Sequence, residues 1–177
     1  MNNYNTLLEQ INAAVHAIKQ GKVIAYPTEA VYGLGADPTQ ESAVTKLYQL
    51  KKRDPSKGCI IVAANWDMVK HFTKPIPNYE QVFASWPGHV TWVFPASNIA
   101  PCLVQNHNNT IAIRISAHPI IQKLCTQLNA PIISTSANIQ NEAPATNAAE
   151  VIKIFGSDVE VVIDAELGQN NSISTIK

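Results

Sequence analysis

The feature that most constrains this chain is a set of short runs that are apolar at consecutive positions. "KVIAYP" (22–27), "CIIVAA" (59–64) and "PIIST" (131–135) are bounded by turn residues and are too short to be buried helices. A strand with apolar side chains on both faces has to be covered on both faces, which calls for a sheet with helices above and below it. Helical periods lie between these runs. Leu7, Leu8, Ile11, Val15 and Ile18 recur at helical spacing, with Gly21 as C-cap. Ser42 is placed to cap a helix carrying Val44, Leu47 and Leu50, and Asn65 to open a short one through His71. Val82, Phe83 and Trp86 predict a helix stopped at Pro87-Gly88. Pro119 suits the first turn of a helix with Ile120, Ile121, Leu124 and Leu128. A further helix is expected from Ala148 to Phe155, ending at Gly156, before the strand-like "VEVVID" (159–164).

"VTWVFPA" (90–96) and "TIAIRIS" (110–116) alternate as strands do, with no helical period between them, so the sheet should be mixed. The expected class is α/β, as a single domain over residues 1–177. A chain of this length hides roughly 70% of its unfolded surface and needs no metal or disulfide to fold. No linker, repeat or low-complexity segment interrupts it.

Composition removes several function classes. No apolar run reaches the ~18 residues of a membrane span. The opening "MNNYNTLLEQINAAV" lacks the basic start and apolar core of a signal peptide, so a cytoplasmic protein is expected. Cys59, Cys102 and Cys125 are widely spaced with no CxxC pair, which suits a reducing compartment better than a zinc site or a disulfide framework. The five histidines include no i,i+4 pair beside a carboxylate, so no protein-ligated metal is expected. No serine lies in a G-x-S-x-G elbow. The formal net charge of zero argues against non-specific coating of nucleic acid, so any anion site must be local.

Local concentrations of charge and hydroxyl groups do occur. "KLYQLKKRDPSKG" gathers Lys51, Lys52, Arg53 and Lys57 at a helix–strand seam. That is either a solvated basic helix end or an anion site, and Arg53 has the fork that grips phosphate or carboxylate. "AYPTEAVYGLGAD" (25–37) follows a strand and reads as a strand-end loop: Thr28 offers a hydroxyl, while Gly33 and Gly35 allow close backbone approach, either to a ligand or in a plain surface turn. Arg114 continues a strand of Ile and Ala, which is costly unless it reaches a cleft or a partner. "STSAN" (134–138) sets Ser134, Ser136 and Asn138 on one side after a buried strand, to bind a polar ligand or to cap a following helix.

Taken in this order, "AYPTEAVYGLGAD", "KLYQLKKRDPSKG", "WPGHVTWVFPA", "TIAIRISAHP" and "STSAN" closely resemble the YrdC-like threonylcarbamoyl-AMP synthases, in the short form without an appended C-terminal domain. The resemblance runs from about Val23 to Ala143 and more weakly to the end. It implies an open twisted sheet with a concave, positively charged cavity. It further implies a reaction that joins L-threonine, bicarbonate and ATP into threonylcarbamoyl-adenylate and pyrophosphate. Other proteins then use the adenylate to modify tRNA. The family's K-x-R and S-x-N signatures fall here on Lys51, Arg53, Ser136 and Asn138, which the resemblance makes catalytic.

Carried over in the same way, Thr28 contacts threonine, and Lys51, Arg53 and Lys57 contact phosphates. Arg114 binds the threonine carboxylate or a phosphate, with Thr110 and Ser134 nearby. Ser136 and Asn138 hold ATP and order the region of a Mg²⁺ ion carried mainly by the ATP phosphates. The C-terminal "STI" nominates Ser174 in a short segment that closes over threonine. Two other readings stay open on the residues alone: an RNA-binding module using the same basic concavity for weak tRNA contact, and a nucleotide-binding regulator without turnover.

Overall fold

The structure, a computed structural model, describes residues 6–168 and 174–177. Its centre is one mixed eight-stranded sheet. In chain order the strands are β1 (Ile24–Pro27), β2 (Tyr32–Gly35), β3 (Ile60–Ala63), β4 (Val90–Pro95), β5 (Thr110–Ile115), β6 (Ile132–Ser136), β7 (Val161–Val162) and β8 (Thr175–Ile176). Across the sheet they run β7-β1-β2-β6-β3-β5-β4-β8. β1–β7, β3–β5 and β4–β8 are parallel pairs, and the remaining neighbours are antiparallel.

Helices α1 (Leu7–Lys19) and α4 (Pro119–Leu128) cover one face, and α2 (Glu41–Lys51), α3 (Glu80–Ala84) and α5 (Ala148–Phe155) the other. The two-sided burial expected of the apolar runs is visible residue by residue. Ile61, Ala63 and Ile133 join the α2/α5 core, while Val62 and Ile132 join the α1/α4 core. Each helix buries a stripe into one of these two layers, as an amphipathic period requires.

Four local expectations are corrected. Gly33 and Gly35 are not in a loop: Thr28–Val31 is a four-residue connection, and the glycines belong to β2, which pairs antiparallel with β1. A Cβ on Gly35 would lie 2.6 Å from the Tyr26 ring, so this glycine admits a buried tyrosine rather than a ligand. Ser42 does not cap α2, whose N-cap is Gln40 with no side-chain bond. The segment from Asn65 is two short 3-10 turns rather than one helix. "VEVVID" contributes only the two residues of β7, Val161 and Val162, which pair with Ile24 and Ala25 of β1.

Candidate active site

The sheet face under α1 and α4 is built from small residues over part of its width. On β5, Ile111, Ile113 and Ile115 point into the α2/α5 core, so Ala112 and Arg114 face the other way. On β6 the same parity places Ser134 and Ser136 on the face of Ile132, and on β2 it places Gly33 there. The low face leaves a cavity of about 270 Å³, walled by Thr28, Gly33, Arg53, Arg114, Ser134 and Ser136 among others. His89, Ser174 and Ile176 contribute a further side.

Arg53 reaches the cavity because helix α2 ends abruptly. Lys52 takes the left-handed conformation (φ 49°), and Asp54 then caps a 3-10 turn at Pro55–Lys57 through the Ser56 N–H. Gly58 follows with φ 61°, where a Cβ would meet the Val104 carbonyl oxygen at 2.8 Å, so only glycine fits. Its carbonyl accepts from Arg53 Nη2 at 3.0 Å. The four cations of the seam therefore separate: Lys51 is buried, Arg53 lines the cavity, and Lys52 and Lys57 are exposed outside it.

Lys51 does not line the cavity. Only 2% exposed, it lies behind the β6 end, where Nζ donates to the Ser136 carbonyl, to the Asn138 carbonyl at 2.9 Å and to Asn138 Oδ1 at 3.0 Å. Ser136 Oγ donates to the same Asn138 Oδ1 at 2.6 Å, and Asn138 Nδ2 donates to the carbonyls of Ile139 and Glu142. Burial, and next the neighbouring Arg53 charge, lower the Lys51 pKa from 10.5 to about 8. No helix follows this turn at once, since α5 begins at Ala148 and is capped by Asn147, so the helix-cap alternative for Ser136 and Asn138 is overturned. The pair instead forms a turn bolted to the end of α2, which the bond from Gln140 N to the Lys51 carbonyl at 2.8 Å tightens.

Arg114 is 6% exposed. Its Nη1 donates to Glu29 Oε2 at 2.9 Å, while its Nε is buried with no hydrogen-bond partner. Glu29 Oε1 accepts from Ser116 Oγ at 2.7 Å. Burial alone would raise the Glu29 carboxyl, but Arg114 and Ser116 outweigh it and hold the group below the usual carboxylate range. Burial lowers the pKa of nearby His118, against the pull of Glu29.

Thr28 Oγ1 donates to the Val31 carbonyl at 2.7 Å, leaving its lone pairs to the cavity. Ser134 lies over Tyr26, whose hydroxyl donates to the Ile133 carbonyl at 3.2 Å. Ser174 Oγ accepts from Thr91 Oγ1 at 3.0 Å as β8 docks on β4. Thr110 lies on the Arg114 face of β5 but outside the cavity walls, with its hydroxyl buried and unpartnered.

Of the nominated residues, the fold brings Thr28, Arg53, Arg114, Ser134, Ser136 and Ser174 to one cavity. Lys51 and Asn138 support it from behind, and Lys57 and Thr110 stand outside. Sequence reasoning missed Glu29, whose only signal was indirect: an arginine in an apolar strand needs a counter-charge, and nothing local supplies one. It also missed His89, which sits in "WPGHV" with no neighbouring titratable group to mark it.

A model of the Sua5/YciO/YrdC family, described as "Telomere recombination", matches residues 16–177. A curated threonylcarbamoyl-AMP synthase of Coxiella burnetii (strain RSA 493 / Nine Mile phase I) is 42% identical over 171 residues, 96% of this chain and 92% of the relative. One from Pseudoalteromonas atlantica (strain T6c / ATCC BAA-1087) is 45% identical over 161 residues, 89% of this chain and 86% of the relative. The crystal structure of P. abyssi Sua5 complexed with L-threonine superposes with a TM-score of 0.88 at 33% identity, over 97% of this chain and 51% of that one. The present chain thus spans about half of that longer protein.

Proposed function

The chain belongs to the Sua5/YciO/YrdC family, and on that premise we propose that it is a threonylcarbamoyl-AMP synthase. L-Threonine, bicarbonate and ATP give threonylcarbamoyl-adenylate and pyrophosphate, the first step in forming N6-threonylcarbamoyladenosine in tRNA. The observation that carries this reading is one cavity reached by two arginines in different electrostatic states. Arg114 is countered by Glu29, whereas Arg53 bonds only a neutral carbonyl.

The amine of threonine and bicarbonate combine, with loss of water, to a carbamate. A carbamate oxygen then attacks the α-phosphorus, and pyrophosphate leaves. Such a transfer asks for positioning and charge stabilisation more than for a strong protein base. Thr28 and Arg114 hold threonine, and Arg53 holds the phosphates with Lys51 behind it. Ser136 and Asn138 set the shape of the phosphate end, and Ser134 lines the same cavity from β6. Ser174 and β8 close one side, limiting the entry of water to a labile carbamate and adenylate. Lys57, in the 3-10 turn after α2, and Thr110, at the start of β5, stand outside the cavity walls and carry no direct contact in this reading.

Mg²⁺ supplies charge neutralisation on the phosphates when bound. The residues fit an ion carried by the nucleotide: no Asp or Glu is among the described residues lining the cavity, whereas the Ser136 hydroxyl offers a hard oxygen. The adenylate passes to the transferase proteins that act on tRNA. The exposed Lys52 and Lys57 beside the cavity offer weak contact with tRNA itself. Residues 1–177 act as one domain, and the setting is cytoplasmic; no helix among the described residues is long and apolar enough to cross a membrane.

The test is pyrophosphate release with threonine, bicarbonate and ATP omitted in turn. Release should require all three and fall sharply when valine replaces threonine, because a site built around a hydroxyl leaves buried polar groups unpaired with valine. Equal release with threonine and valine overturns the reading.

A further inference from the structure

We infer that Glu29 is a positioning residue that fixes Arg114 and offsets its charge, so that this end of the cavity takes the single carboxylate of an amino acid and turns polyphosphate toward Arg53. The inference rests on the threonine-and-ATP reading above and deepens it by dividing the cavity between the two substrates.

Glu29 is 8% exposed and does not line the cavity itself. Both its oxygens are occupied, one by Arg114 Nη1 and one by Ser116 Oγ, and Ser116 Oγ in turn accepts from His118 N at 3.1 Å. The connection that carries Glu29 is fixed on both sides, by the bond from Thr28 N to the Val31 carbonyl at 3.0 Å and by that from Gly168 N to the Thr28 carbonyl at 2.9 Å. A carboxylate so held clamps one edge of the guanidinium, while the buried, partnerless Arg114 Nε remains for an incoming acceptor.

The charge arithmetic differs at the two arginines. A ligand at Arg114 meets a cation already paired with an anion, in a buried setting where repulsion is weakly screened. A triphosphate brings several negative charges and is repelled by Glu29. An amino acid brings one, with an amine that Glu29 does not disfavour. Arg53 has no carboxylate within ion-pair distance among the described residues, and the cation behind it, Lys51, also lacks one. Polyphosphate gains most there. Repulsion at one end and attraction at the other together set the orientation of the bound pair, a discrimination that uses an unfavourable contact as well as a favourable one.

The experiment measures equilibrium binding of L-threonine, ATP and inorganic tripolyphosphate to the full chain, with steady-state pyrophosphate release, in the parent, Glu29→Ala and Glu29→Gln. In Glu29→Ala the threonine constant should weaken by about tenfold or more, the scale of a lost bond to a charged group, while the ATP constant moves less than about twofold. Glu29→Gln keeps the shape and one acceptor and guards against a failure of Glu29→Ala to fold. In it tripolyphosphate should begin to compete with threonine, whereas in the parent it competes with ATP alone. A merely structural role would move both substrate constants together with the melting temperature, and that result overturns the inference. So does a Glu29→Gln protein with the parent's selectivity. A parent that binds no L-threonine overturns the functional reading along with it.

Discussion

Lys51 and Arg114 are both buried cations, one behind the cavity and one in its wall, yet the fold satisfies them in opposite ways. Arg114 faces a carboxylate, and the pair approaches neutrality. Lys51 faces two carbonyls and an amide oxygen, all neutral. The consequence appears in their neighbours' chemistry. Arg114 and Ser116 hold Glu29 below the usual carboxylate range, while Lys51 is pushed down to about 8 by burial and by Arg53. An uncompensated buried cation is costly in the empty protein and is relieved by an incoming anion. The Lys51 corner is thus an unfinished ion pair, which on the reading proposed above a phosphate completes, whereas the Arg114 corner is a finished one.

The largest test of this contrast is Arg53→Ala, which removes the cation that joins Lys51's field to the cavity. Turnover should fall by about 10²–10³, the scale of a lost electrostatic stabiliser, with the melting temperature nearly unchanged. A variant that keeps full synthase activity but loses affinity for RNA would instead favour a nucleic-acid binding role for the seam.

Asn138→Ala probes the same corner from behind. It removes the Oδ1 that receives both Lys51 and Ser136, so single-turnover adenylate yield should fall at least about tenfold, a loss exceeding any loss of folding free energy. Melting curves and adenylate yield on one sample decide it. A destabilised protein whose folded fraction works at the parent rate would make this residue a purely structural brace.

The pH dependence separates the two corners more finely. Because the Lys51 pKa is depressed from 10.5 to about 8, the folded chain binds fewer protons than the unfolded chain between those values. Stability from this group therefore rises with pH through that window, and below it the penalty for the buried charge is fully present. Lys51→Met should lack the rise, as read from urea midpoints across the window. ATP should raise the Lys51 pKa and draw in protons near the folded value, visible by calorimetry in buffers of different ionisation enthalpy, whereas threonine should not. Equal proton uptake with both ligands would erase the contrast.

The smallest effect is expected at the other corner. Glu29 has a folded pKa below its ordinary 4.5, so its stabilisation is present above that value and is lost as pH falls through the folded one. Glu29→Gln should flatten this acid loss. An unchanged acid limb would mean that the Arg114 pair contributes nothing to folding, as a buried pair sometimes does.

What the sequence determined by itself is set by local geometry. Consecutive apolar residues must be covered on both faces, and helical periods must bury one stripe, so the α/β class, the mixed sheet and α5 to the residue were legible before any coordinates. The chemistry of the seam was legible as residue types: an arginine fork, hydroxyls after a strand, an arginine stranded among isoleucines. The tertiary structure decided which of these meet. Whether Lys51 enters the cavity or stands behind it depends on the left-handed turn at Lys52 and on the end of β6 arriving beside α2. Glu29 and Arg114 are 85 residues apart and touch only because β1–β2 pairs with β6, which pairs with β3, which pairs with β5. Gly33 and Gly35 looked like a loop because a hairpin with four connecting residues leaves no local period to mark its second strand. Strand pairing is a long-range contact whose register no short window contains, and in this protein it is the register that separates the finished ion pair from the unfinished one.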